Sequence, residues 1–254
     1  MAQLGTAACW VSSLAIPLDK PLKQHGLSAA PPAMICCGMK KFLRDGPEDA
    51  GVTVLLAHGA GAPMDSAAMS AGAKALAGTG LRVVRFEFEY MASRRTSPGK
   101  EPPPRADRLT SEYIAAVEGL DARGPLVIGG KSMGGRVASM IADQLYASGR
   151  IAGLLCLGYP FHPIGKPDQL RTGHLTEMQT PALIVQGTRD PFGTREEVAT
   201  YKLSKSIEIL WLVDGDHNLK PRKSISGFTA ADHLRTMAER VATWAKTLTG
   251  QKNR

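Results

Sequence analysis

The chain has 254 residues, 43% of them hydrophobic and 21% charged, the balance of a globular protein with apolar mass for one sizeable core. Its four cysteines, Cys9, Cys36, Cys37 and Cys156, show no C-x-x-C spacing, which argues against a disulfide framework or a structural zinc and for a reducing, cytoplasmic setting. A formal net charge of +8 raises nucleic acid as a partner, but the basic residues are spread along the chain without interleaved aromatics, so none is expected.

The N-terminal stretch "AACWVSSLAIP" has no basic residue ahead of it, the first lysine being Lys20, so the three-part pattern of a secretory signal is incomplete. We expect residues 1–40 to be a poorly ordered extension, with Met34 a candidate start, and residues 41–250 to be a single domain. No apolar run approaches the roughly 18 residues that a membrane span needs, so no membrane partner is expected. One or two antiparallel edge strands are expected before residue 51, for instance around "MKKFLRDG".

From residue 51 onward, short apolar runs alternate with helical patterns, as in βα units built around a parallel sheet. The predicted strands are 52–58, 82–88, 125–130, 151–158, 182–187 and 207–213, nearly unbroken in apolar character, as strands covered on both faces are. Asp65 or Ser66 can cap a helix that Gly80 ends. Residues 91–106, with four prolines, read as a long irregular connection. Helical stripes come next at Leu109, Tyr113, Ala116, Val117 and Leu120, then at Val137, Met140, Ile141 and Leu145, and last at Leu234, Met237, Val241, Trp244 and Leu248. The segment between Gly158 and Ala182 has space for a small lid but not for a cap domain.

The stretch "VIGGKSMGG" fits two chemistries. A phosphate-binding loop needs glycine five residues before Gly130-Lys131, where Pro125 stands without an N–H. The pattern G-x-S-x-G is complete, and it presents Ser132 at a sharp strand-to-helix turn. So short a motif arises by chance, and the residues beyond the other strand ends must decide. In a parallel sheet, reactive groups gather in loops past the strands' carboxyl ends.

His58-Gly59-Ala60-Gly61 comes after the first of these strands, and a backbone N–H of Gly59 or Ala60 can complete an oxyanion hole with that of Met133. Asp190 comes after "ALIVQG" as the acid that would orient a base, and His217 after "IEILWLV" as that base, with Asp214 and Asp216 as rival acids and His162 as a rival base. The chain order Ser132, Asp190, His217 favours those three.

Together with "LLAHGAGAPMDS", "VVRFEFEYM", "CLGYPFHPIGKPDQLRTGHL", "IVQGTRDPFGTREEV" and "DGDHNLKPRK", these residues make the chain resemble an α/β-hydrolase. More narrowly it resembles the branch related to testis-expressed protein 30 and to subunit 3 of the nonspecific-lethal acetyltransferase complex. The resemblance implies a mostly parallel sheet of at least six strands, helices on both faces and little or no cap. It implies a serine hydrolase that cleaves a small ester, thioester or related acyl compound with no cofactor and no metal. Dienelactone-hydrolase-like enzymes use cysteine where Ser132 stands, so their substrate is not carried over, and proline is expected where Glu89 stands.

Arg94, Arg95, Lys100, Arg105, Tyr159 and His162 are expected near the same edge, biasing a pocket toward anionic acyl substrates. A protein partner would fit the alternative, a non-catalytic interaction module; the sequence does not specify an oligomeric state.

Overall fold

A computed structural model describes residues 41–96 and 102–249; the expected extension over residues 1–40, three of the four cysteines and Lys100 lie outside the described residues. Six of the apolar runs are strands of one sheet: β2 (Thr53–Ala57), β3 (Arg82–Phe86), β4 (Leu126–Lys131), β5 (Gly153–Leu157), β6 (Ala182–Gly187) and β7 (Ile207–Leu212). A seventh, β1 (Leu43–Asp45), pairs antiparallel with β3, and the order is β1-β3-β2-β4-β5-β6-β7 with every other pairing parallel. The short edge strand is pinned by charge: buried Arg85 of β3 donates to Asp45 of β1 at 2.8 Å.

Because side chains alternate across a strand, each central run supplies both faces at once. Leu55, Ile128, Leu154 and Ile184 enter one core with helices α3 (Thr110–Glu118) and α4 (Met133–Ala147). Leu56, Val127, Leu155 and Val185 enter a second core with α1 (Ala67–Ala77) and α7 (Ala230–Thr249). Short helices α2 (Glu89–Ser93), α5 (Arg195–Val198) and α6 (Lys223–Ser226) complete the set. Between β5 and β6 there is one three-residue 3-10 turn, Gly173–Leu175, and no cap domain.

Some local expectations change. The helix capped near Ser66 ends at Ala77, and Gly80 instead turns the chain into β3 with φ +89°. Ser66 occupies the capping position without making a side-chain cap bond, while Asp65 is drawn to Arg95. The connection 91–106 begins inside a helix, since Glu89 opens α2 and donates its N–H to Glu112 at 2.8 Å, a bond that proline could not make. The last strand is a half-exposed edge, with Val213 beyond its end. Met140, expected in the core, is 37% exposed, because the α4 face that carries it turns toward a cavity over Ser132.

The chain crosses from β3, on one side of β2, to β4 on the other. That reversal opens a crevice beyond the carboxyl ends of β2 and β4, where an α/β sheet receives ligands.

Candidate active site

Ser132 joins β4 to α4 with φ 51° and ψ −114°, a conformation that costs a non-glycine residue about 1–3 kcal/mol and persists only where neighbours impose it. The neighbours are backbone. A Cβ on Gly134 would come 2.5 Å from the Ala57 carbonyl oxygen, and one on Gly130 would come 2.4 Å from the same atom. Glycine at both places lets α4 sit against the β2 strand end, so the helix begins at once and the serine is pushed to the tip.

At that tip the Ser132 hydroxyl lies 2.8 Å from His217 Nε2, and His217 Nδ1 lies 2.8 Å from Asp190 Oδ2. Asp190 is completely buried and acceptor-only: Oδ2 also receives Gln186 Nε2–H at 3.0 Å, and Oδ1 receives the Phe192 N–H at 2.9 Å. With the carboxylate accepting from Nδ1–H, Nε2 presents its lone pair to the serine proton. Asp190 and Ser132 stand 27 and 85 positions before His217, yet the three residues form one hydrogen-bonded line.

The rival acids are occupied elsewhere. Arg222 holds the Asp214 carboxyl down at about 2, and Asp216 accepts from the backbone of Asn218 and Lys220. His162 is 2% exposed, with Nδ1 against the Pro163 carbonyl and Nε2 3.4 Å from Glu197.

Three supports were not legible in the sequence. Lys131 donates its Nζ proton to the His217 carbonyl, and burial pushes its ammonium down to about 8 against the opposing pull of Asp190 and Asp216. Gln186 is fully buried, takes the Tyr159 N–H at 2.7 Å and gives protons to Asp190, so it locks the β5 and β6 ends together. His58, kept neutral by burial, donates from Nδ1 to the Gly59 carbonyl at 2.7 Å and accepts the Phe88 N–H at Nε2. Since N–H and C=O of a trans peptide point oppositely, this bond turns the Ala60 N–H away from His58. The Tyr90 hydroxyl fixes the next peptide through the Ala60 carbonyl at 3.1 Å. Met133 is the first residue of α4, where an N–H has no intrahelical acceptor.

A cavity of about 710 Å³ opens over the serine, lined by Ala60, Ser132, Met133, Met140 and Phe192 among others. The Phe192 ring packs 4.3 Å from the His217 ring. None of Arg94, Arg95, Tyr159 and His162 lines this cavity, which corrects their expected placement. Arg95 is spent on Glu87 and Asp65, at 2.7 and 2.8 Å, and Arg94 covers the Tyr90 ring at 5.1 Å. Tyr159 is fully buried, its hydroxyl donating to the Arg171 carbonyl at 3.1 Å. Among the described residues, the cations that line the cavity are Arg105, Arg136 and Arg171. Arg136 could have been found from its place four residues after Ser132 on a helix; Arg171, in an irregular segment, carried no such signal. Among the described residues no group of three or more metal-ligating side chains occurs, and no helix is long and apolar enough to cross a membrane.

A mostly parallel α/β sheet with a strained serine at the strand-to-helix turn beside its switch point defines the class of hydrolase-fold proteins. Residues 50–246 match the model of an alpha/beta hydrolase domain, and the chain belongs to that family. Its fold is shared by a serine hydrolase homologue from Coxiella burnetii, at 20% identity and a TM-score of 0.58 over 80% of this chain and 90% of that one. It is shared by Est1E from Butyrivibrio proteoclasticus, solved with ferulic acid bound, at 16% identity and a TM-score of 0.61 over 84% and 96% of the two chains. A dienelactone hydrolase from Anabaena variabilis is similar at 20% identity and a TM-score of 0.61, over 82% and 91%.

Proposed function

We propose that the protein is a serine hydrolase that cleaves a small carboxylic ester, thioester or related acyl compound. The observation that carries this reading is the line from Asp190 through His217 to Ser132, at 2.8 Å on each side of the imidazole. His217 Nε2 takes the hydroxyl proton as Ser132 Oγ bonds to the substrate carbonyl carbon, and the carbonyl oxygen becomes an oxyanion. The N–H groups of Met133 and Ala60 receive that charge; losing one such donor typically costs about 2.7–4 kcal/mol. As the oxyanion collapses, the bond to the alcohol or thiol breaks and the leaving group takes the proton from His217. Water then adds to the acyl-serine, giving its proton to the same nitrogen, and the second collapse releases the acid and returns the proton to Ser132. Asp190 stays ionised throughout and stabilises the imidazolium.

Each step uses groups of the protein and water, so the reading requires no cofactor. The narrower kinship with the testis-expressed protein 30 branch, cytoplasmic residence and the treatment of residues 41–250 as one domain belong to the same proposal. The test is labelling with a fluorophosphonate probe: wild type labels, and Ser132→Ala, folded by its melting curve, does not. A folded wild type that takes no label would favour the non-catalytic interaction module instead.

A further inference from the structure

Among the described residues, the cavity over Ser132 carries more positive charge than its one carboxylate, Asp107, neutralises. Of its charged lining groups, Arg105 and Asp107 pair with each other at 3.1 Å. Arg136 and Arg171 are different: among the described residues neither has a carboxylate within ion-pairing distance. The Arg136 Nε is buried and has no hydrogen-bond partner among the described residues, as is also the case for the Nε of Arg82 and of Arg85, but of these three Arg136 is the one that lines the cavity.

The backbone that carries each arginine is held in place. Arg136 sits one turn along α4 from Ser132, its N–H bonded to the Ser132 carbonyl at 3.0 Å. Arg171 gives its N–H to Phe161 at 2.7 Å and receives the Tyr159 hydroxyl on its carbonyl at 3.1 Å. That tyrosine is wedged against Ser139 and His174, so the loop carrying Arg171 is built onto the same helix face as the serine. Both arginines line the one cavity, where burial, and then the charge of Arg136, lower the Arg171 pKa. An anion between two like charges would relieve their repulsion.

We propose that Arg136 and Arg171 form a subsite for an anionic group, carboxylate or phosphate-type, on the substrate, so that the enzyme selects acidic acyl compounds over neutral ones. The reaction rests on the serine-hydrolase reading; the binding does not. One helical turn rises about 5.4 Å, so the anion would lie a short chain away from the carbonyl attacked by Ser132, as in a half-ester of a short dicarboxylic acid. Guanidinium groups suit this task because each presents a planar pair of donors to two oxygens.

The experiment compares monoethyl glutarate, its carboxamide analogue ethyl glutaramate, and ethyl 4-phosphonobutanoate, with ethanol release as the readout. Wild type is expected to favour the carboxylate over the carboxamide by about tenfold or more in kcat/KM. Arg136→Met and Arg171→Met should each bring that ratio toward one, with Arg136→Lys, which keeps charge without the planar fork, in between and usable if the methionine variant does not fold. The phosphonate arm separates the two anion types: a larger preference there assigns a phosphate-type group, a smaller one a carboxylate. A wild-type ratio near one, or a ratio kept in all the variants, overturns the subsite. If the protein takes no fluorophosphonate and turns over none of the three esters, the hydrolase reading has failed, and the subsite is judged by sodium glutarate alone. Glutarate should then raise the melting temperature of wild type more than that of the variants; equal or absent shifts overturn it.

Discussion

Replacing Asp190 by asparagine is the sharpest test of the proposed relay, because it changes two lone pairs and almost no volume. Three donors converge on the carboxylate: His217 Nδ1 at 2.8 Å and Gln186 Nε2 at 3.0 Å on Oδ2, and the Phe192 N–H at 2.9 Å on Oδ1. An amide offers one acceptor and one donor end. If its oxygen faces His217, its NH₂ meets the Phe192 N–H head-on; if its oxygen faces Phe192, its NH₂ meets His217 and Gln186. In the second arrangement the imidazole can relieve the clash only by moving its proton to Nε2, which then donates to Ser132 instead of receiving from it.

Either way a buried donor goes unpaired, at about 1–3 kcal/mol. In a domain of this size that lowers the melting temperature by roughly 2–4 °C for each kcal/mol. Catalysis should suffer far more, by about 10⁴-fold in kcat, as expected when the base is held in the wrong tautomer. Stopped labelling with a fluorophosphonate, beside ester turnover and a melting curve, reads both effects. A folded Asp190→Asn that labels within about tenfold of wild type would refute the role assigned to the carboxylate.

Gly134→Ala should destabilise the fold by about 1–3 kcal/mol and slow labelling, since its Cβ would meet two backbone oxygens at 2.5 and 2.6 Å; denaturant midpoints measure it, and an unchanged midpoint would mean that α4 can slide. Tyr113→Phe should cost about 1–3 kcal/mol without altering turnover, because the buried hydroxyl serves the Leu55 carbonyl at 2.9 Å and both polar groups of Gly129, at 2.6 and 2.8 Å. Lys131 titrates near 8 in the folded protein and near 10.5 when unfolded, so between those values the unfolded state binds the extra proton and wild-type stability rises with pH. Against Lys131→Met, wild type should therefore gain up to ~3 kcal/mol from pH 7.5 to 10.5, and a pH-independent difference would count against a buried ammonium.

The β-branched runs and their period were enough to anticipate a mostly parallel sheet with helices on both faces, and the glycines around Ser132 marked the turn on which the proposed relay is built. These are properties of short segments: unbroken apolar runs mark strands covered on both faces, and a serine flanked by glycines can occupy a tight turn. Which aspartate touches His217 was not such a property. Asp214 is nearer in sequence, yet Arg222 and Arg189 claim it, while Asp190 is delivered by a different strand end. The lining of the cavity was likewise decided by folding. Arg95, expected near the pocket's edge, is neutralised by Glu87 and Asp65, whereas Arg171 carried no signal and lines the serine's cavity. Partners in an ion pair are chosen by proximity in space, and a linear pattern of charges does not contain that distance.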